Sequence, residues 1–348
     1  MILDGSASAA IATAAQAIRA GELLGLPTET VYGLAADAEN DAAVAKIFSA
    51  KGRPSEHPLI VHVADAASVS HFAASVPDFA RQLMRAFWPG PLTLILPRRA
   101  GVAAAAAGGQ NTIGLRCPSH PVAQALLRAC REPAAGPTGG QHPVWGLAAP
   151  SANQFGRVSP TTAQHVQSEF GADLLILDGG ACTVGIESTI IDCTRGVPVL
   201  LRPGAVTREQ AQARCGQRVF SEEELAVAAA APRVSGSLAS HYAPHAKVRL
   251  MDAPALQTAL DLLGPQVAAR AAGAAPLIAA YARTFLKTRS SQVLLKRMPD
   301  DAGATAQQLF AVLREFDNQG VQLIWIETPP DAPAWDGVRD RLQRAAAQ

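Results

Sequence analysis

The chain has 348 residues, 49% of them hydrophobic and 17% charged, with 30 basic residues against 29 acidic ones. That length predicts two packed domains, and the near-zero net charge argues against a large nonspecific nucleic-acid footprint, which needs a basic surplus. Five cysteines without C-x-x-C spacing, no basic leader and no apolar run near ~18 residues predict a reducing, cytoplasmic setting with no membrane span.

Ser6 or Ser8 can cap a first helix that sets Ile11, Ala14, Ala15 and Ile18 on one face and ends at Gly21. Residues 23–26 read as a strand entering the Pro27 loop. Asp41 caps a helix through Ala50, with Val44 and Ile47 inward. Strands are expected at 59–63, 92–96 and 112–116, and helices at 79–87 and 122–130. Residues 131–146 read as an inserted surface loop, with a lid or partner contact as the alternative. Strands at 174–177, 188–193 and 199–201 and a helix at 208–215 close this unit.

Residues 221–246 lack periodicity and read as a linker. Beyond it, strands (248–251, 276–281, 292–295, 321–326) alternate with helices (255–263, 305–318, 337–347). The expected organisation is a domain at 1–220, a linker at 221–246 and a domain at 247–348. The first is α/β with a twisted mixed sheet whose concave face holds the site. The second is a small, Rossmann-like parallel-sheet domain. It lacks G-x-G-x-x-G, so dinucleotide binding is not expected there.

Lys51-Gly52-Arg53-Pro54 is the most chemically pointed stretch. Gly52 lets backbone approach a ligand, Arg53 presents a planar fork suited to phosphate, and Lys51 adds a point charge. Pro54 and Pro58 fix the loop, and residues 59–63 look like the strand behind it. The competing reading is a solvated basic turn. Thr112 and Arg116 lie four apart on one strand and share a face. Ile113, Leu115 and Cys117 make that neighbourhood apolar, which disfavours a surface salt bridge for Arg116. Ser151 and Asn153 point to one side if the strand before them continues. Ser159-Pro160-Thr161 reads as a helix cap, and a helix N-terminus also attracts phosphate.

Taken in order, Pro27-Thr28-Glu29-Thr30-Val31-Tyr32-Gly33, the Lys-Gly-Arg-Pro segment, Thr112-Ile113-Gly114-Leu115-Arg116, Pro150-Ser151-Ala152-Asn153, Ser159-Pro160-Thr161, Glu187-Ser188-Thr189 and Arg202-Pro203-Gly204 resemble the YrdC-type threonylcarbamoyl-adenylate synthases. Ser235-Gly236-Ser237 and His241-Tyr242-Ala243-Pro244 resemble the linker of the two-domain form. The resemblance is strong over about residues 8–245. It implies a nucleotidyltransferase that takes L-threonine, bicarbonate and ATP to threonylcarbamoyl-AMP and pyrophosphate. The product would pass to a tRNA threonylcarbamoyl-transferase complex, with at most a weak tRNA contact by this chain.

The resemblance also implies roles. Lys51 and Arg53 are the catalytic cations. Arg53, His57, Thr112, Ser151, Ser159, Arg202 and Tyr242 go to ATP. Thr30, His62, Arg116, the backbone of Ala149 and Ser188 go to threonine. Tyr32 and Asn153 belong to the pocket wall, although Tyr32 reads equally well as a core tyrosine. His57 stands where the family more often has asparagine. The His241-Tyr242 segment would fold over the pocket. Mg²⁺ accompanies ATP in this reading, with ligands that the residues leave open. Two other readings compete. One is a double-stranded RNA or tRNA-binding module of the same fold without catalysis. The other is an enzyme using carbamoyl phosphate, whose accessory acylphosphatase and zinc-finger segments have no counterpart here.

Overall fold

A computed structural model describes residues 1–132, 143–225, 232–234, 236, 241–267 and 277–347. Most of the expected insertion, residues 133–142, lies outside these, as does much of the linker. The chain divides into two units. Met1–Phe155 with Ser159–Ser237 form the first, and Gly156–Val158 with Leu238–Gln348 form the second.

The first unit runs β1 (Ile2–Asp4), α1 (Ser8–Arg19), β2 (Leu24–Leu26), β3 (Gly33–Asp37), α2 (Asp41–Lys51), β4 (Ile60–Val63), α3 (Val69–Phe72), α4 (Asp78–Phe87), β5 (Leu92–Pro97), β6 (Thr112–Arg116), α5 (Pro121–Arg131), β7 (Gly146–Ala148), α6 (Ala163–Phe170), β8 (Leu175–Asp178), β9 (Thr189–Asp192), β10 (Val199–Arg202), α7 (Arg208–Cys215) and β11 (Phe220–Ser221). Its strands form one mixed sheet in the order β1-β8-β2-β3-β7-β4-β6-β5-β9-β10-β11.

Two expected caps are corrected. Asn40, not Asp41, caps α2 by accepting from the Ala43 N–H. Neither serine caps α1, because Ala7 holds the N-cap position and Ser6 bonds to Asp4 instead. β3 is a strand of small residues buried on both faces, so it shows no alternation to read.

The middle of the sheet explains where the site lies. Successive side chains alternate between faces. On one face Val61, Val63, Leu92, Leu94, Ile113, Leu115 and Ile191 pack into the main core with Val44 and Ile47 of α2 and Phe79 and Leu83 of α4. The opposite face carries Ile60 and His62, Thr93 and Ile95, Thr112, Gly114 and Arg116. Register sets Ile60 beside Gly114 and His62 beside Arg116. α1 and α5 pack a second cluster on Leu24, Leu26 and Leu147, and Leu147 pairs with His62 on the adjacent strand. Helices therefore cover part of this face next to the His62–Arg116 pair.

The second unit runs β12 (Lys247–Met251), α8 (Ala253–Val267), β13 (Ile278–Ala282), β14 (Val293–Arg297), α9 (Ala302–Asn318), β15 (Leu323–Glu327) and α10 (Asp336–Ala346). Its strands pair in parallel in the order β12-β15-β13-β14, with Leu256, Leu260, Ile278, Ala280 and Trp325 in its core. This is the parallel-sheet architecture expected from the alternating pattern.

Candidate active site

Arg116, at the end of β6, organises one end of the polar face. It is 3% exposed. Its Nη2 lies 2.7 Å from Glu29 Oε1, its Nη1 donates to Thr30 Oγ1 at 2.8 Å, and its Nε donates to the Gly90 carbonyl at 3.3 Å. A guanidinium has five N–H donors, so two remain beyond these three contacts. Thr28 Oγ1 braces Thr30 Oγ1 at 3.0 Å, and the Ser119 N–H donates to the second Glu29 oxygen. Burial alone would raise the pKa of Glu29. The Arg116 charge and the hydrogen bonds outweigh it and hold the carboxyl below its ordinary value.

Sequence reasoning missed Glu29 as a site residue. The signal was present, because an arginine among Ile113, Leu115 and Cys117 needs a buried anion. The salt bridge disfavoured at the surface exists as a buried one.

His62 sits across from Arg116 and is fully enclosed. Burial, then the neighbouring Arg116 charge, pushes its pKa well below the usual histidine value, so the ring is neutral. Its Nδ1 is buried without a hydrogen-bond partner among the described residues. Ser188, immediately before β9, shares a 2.7 Å hydrogen bond with Thr93 Oγ1. Arg202 donates Nε and Nη2 to the Ser188 carbonyl at 3.1 and 2.9 Å. The Ala149 N–H donates to the Ile60 carbonyl. Thr30, His62, Arg116, Ala149 and Ser188 all belong to this unit, and all five are buried.

The Lys-Gly-Arg-Pro segment builds the other end. Gly52 ends α2 in the left-handed conformation at φ 60°, which a side chain would resist. Arg53 turns back, donates Nη2 to the Pro58 carbonyl at 3.0 Å and lies over the Phe155 ring at 5.7 Å. His57 meets the same ring edge-on. Lys51 is the surprise. It is 2% exposed, and its ammonium donates to the carbonyls of Ser151 and Asn153. Burial, then the Arg53 charge, lowers its pKa to about 7. It ties the Ser-Ala-Asn turn to α2 from beneath.

The strand before that turn does not continue. β7 stops at Ala148, and Ser151 makes only an isolated bridge to Gly33. Pro150 cannot donate to a ladder, which is a physical reason for the break. Asn153 is buried in the turn and donates Nδ2 to the Gln154 carbonyl. The Ser159-Pro160-Thr161 cap expectation is also corrected. Thr162 caps α6, while the Ser159 hydroxyl donates to Glu187.

Two expected residues are enclosed by packing. Tyr32 is a core residue, fully buried, with its hydroxyl donating to the Gly180 carbonyl at 2.8 Å and accepting from the Gly179 N–H at 3.1 Å. It does not wall the pocket. Tyr32→Phe should lower stability by about 1 kcal/mol while leaving activity unchanged. Denaturant melts and steady-state assays check this, and a loss of activity in the folded variant would return Tyr32 to the site. Tyr242 belongs to the second unit. It is buried at φ 60°, stacked on Phe310 at 5.5 Å and covered by the Arg341 guanidinium at 5.3 Å.

Residues 16–204 match the family described as Telomere recombination, and residues 206–347 match Threonylcarbamoyl-AMP synthase, C-terminal domain. A threonylcarbamoyl-AMP synthase of Bacillus subtilis is 36% identical over 341 residues, which span 97% of this chain and 92% of that protein. One from Pyrococcus abyssi is 34% identical, spanning 97% and 94%. The crystal structure of P. abyssi Sua5 complexed with L-threonine superposes at a TM-score of 0.82 with 32% identity, over 97% of this chain and 94% of that one.

Proposed function

The chain belongs to the two-domain threonylcarbamoyl-AMP synthase family, and on that footing we propose how its polar face divides the work. The enzyme joins L-threonine, bicarbonate and ATP into threonylcarbamoyl-AMP and pyrophosphate, the first step of tRNA N6-threonylcarbamoyladenosine formation. Threonine's amine and bicarbonate give an N-carboxylate. Its oxygen attacks the α-phosphorus, and pyrophosphate leaves with the bonding pair. Every reactant is anionic, so catalysis is a matter of positioning and charge stabilisation.

The threonine end is Thr30, His62, Arg116, Ser188 and the Ala149 backbone. The observation that carries this is the pairing of a neutral His62, whose Nδ1 has no hydrogen-bond partner among the described residues, with Arg116 on the neighbouring strand. Arg116 has two donors left for a carboxylate, and Glu29 neutralises it enough to stay buried. His62 offers a hydrogen bond without adding charge. The nucleotide end is Arg53, His57, Thr112, Ser151, Ser159 and Arg202. Asn153 shapes the turn that carries Ser151. Lys51 stiffens that turn through two carbonyls and supplies positive potential from below.

An Mg²⁺ ion would ride on the phosphates of ATP and neutralise part of their charge, as is usual for this cation. The product is a mixed anhydride that water destroys, so it would be handed to a tRNA-modifying transferase without delay. Five buried, unpaired thiols support a reducing cytoplasmic setting. Among the described residues no helix is long and apolar enough to cross a membrane.

Arg53→Ala tests the nucleotide end. Its loss should raise the KM for ATP about 10-fold or more, leave threonine affinity unchanged and leave the fold intact. Full activity in a folded variant would remove Arg53 from the phosphates.

A further inference from the structure

Residues 232–234 of the linker lie on the first unit, and one side chain holds them there. The Gln110 amide donates Nε2 to the Arg233 carbonyl at 3.2 Å and accepts from the Arg233 N–H at 3.0 Å. This two-bond grip imitates a β-ladder partner. Gln110 is itself fixed, since its N–H donates to Ala107 and its carbonyl accepts from Arg98 Nε at 2.8 Å. The grip sets Arg233 and Val234 against Pro58, Ile60, Thr112 and Gly114 on the polar face.

Arg233 is exposed, and no acidic partner for its guanidinium stands among the described residues. Pro58 connects it to Arg53, which donates to the Pro58 carbonyl. His57 precedes Pro58 on the same loop. Burial first, then Arg53 and also Arg233, lower its basicity, while Glu56 on the same loop works the other way. Two guanidiniums thus act on one imidazole. Gathering like charges without an anion is unfavourable.

The reaction supplies such an anion. As the α–β phosphoanhydride bond breaks, charge builds on the departing pyrophosphate, and a cation already in place stabilises it. We propose that Arg233 is a phosphate-binding residue contributed by the linker to the pyrophosphate end of ATP, and that Gln110 is the residue that positions it. The proposal rests on the reading of Arg53 as a phosphate ligand.

The test is calorimetric titration of the full chain with inorganic pyrophosphate. Arg233→Gln should bind it about 10-fold more weakly, and Gln110→Ala should match that loss. The double variant should be no worse than either single one, because both changes remove one contact. Arg233→Lys should recover most of the affinity, and threonine affinity should stay constant throughout. Wild-type pyrophosphate affinity in Arg233→Gln, or additive losses in the double variant, would overturn the proposal while a weakened Arg53→Ala kept the phosphate reading intact. Wild-type affinity in Arg53→Ala as well would overturn the phosphate reading itself. A folding defect is distinguishable, since it would lower threonine binding too.

Discussion

Arg116→Ala should weaken L-threonine binding by about 2–4 kcal/mol and leave ATP binding close to the wild type. The guanidinium is the buried cation at the proposed threonine end, and its two remaining donors suit a carboxylate in a fixed plane. The variant should also be less stable, because Glu29 is left as a buried anion; breaking such a pair costs about 3–5 kcal/mol. The double variant Arg116→Ala with Glu29→Gln separates the two effects. It should recover much of the stability and none of the threonine affinity. Calorimetric titration and denaturant melts read both quantities. Wild-type threonine affinity in either folded variant would remove Arg116 from the substrate.

Lys51→Met should hold the fold and lower activity about 100-fold, the scale expected when a catalytic turn moves by an ångström. Two effects on stability oppose each other. Lowering the lysine pKa from 10.5 to about 7 means that burying the ammonium costs up to about 5 kcal/mol at neutral pH. Methionine removes that cost but leaves the Ser151 and Asn153 carbonyls without their donor, at about 1–3 kcal/mol each.

The pH dependence follows from the same shift. Between pH 7 and 10.5 the unfolded chain holds the lysine proton and the folded chain does not. Stability from this group therefore rises with pH across that window, by at most about 1.4 kcal/mol per unit, and is lost again as pH falls towards 7. Urea melts at pH 7 and pH 9 should show this rise in the wild type and a smaller one in Lys51→Met. Equal slopes would mean the ammonium is not buried as described.

The parts of this structure that were readable from the sequence are those with strong local rules. The residue limits of β6 and α7 are those that the pattern predicts, because Thr-Ile-Gly-Leu-Arg alternates and α7 is bracketed by Thr207 and Gly216. The second unit follows its strand–helix rhythm for the same reason. What was hidden depends on distant partners. Glu29 acquires its place only when β4 and β6 bring Arg116 over the Pro27 loop. Tyr32 is drawn inward by backbone groups near residue 180. Gly156–Val158 belongs to the second unit through a bridge from Arg157 to Ala243, far along the chain. Lys51 resembles a free ligand cation until the Ser-Ala-Asn turn folds above it.

Isotope exchange between ATP and pyrophosphate tests the central claim most directly, with L-threonine and bicarbonate supplied together, singly or not at all. Exchange should occur only when both are present, since the attacking oxygen belongs to the carboxylate that threonine and bicarbonate make together. Exchange without threonine, or with carbamoyl phosphate in place of bicarbonate, would contradict it.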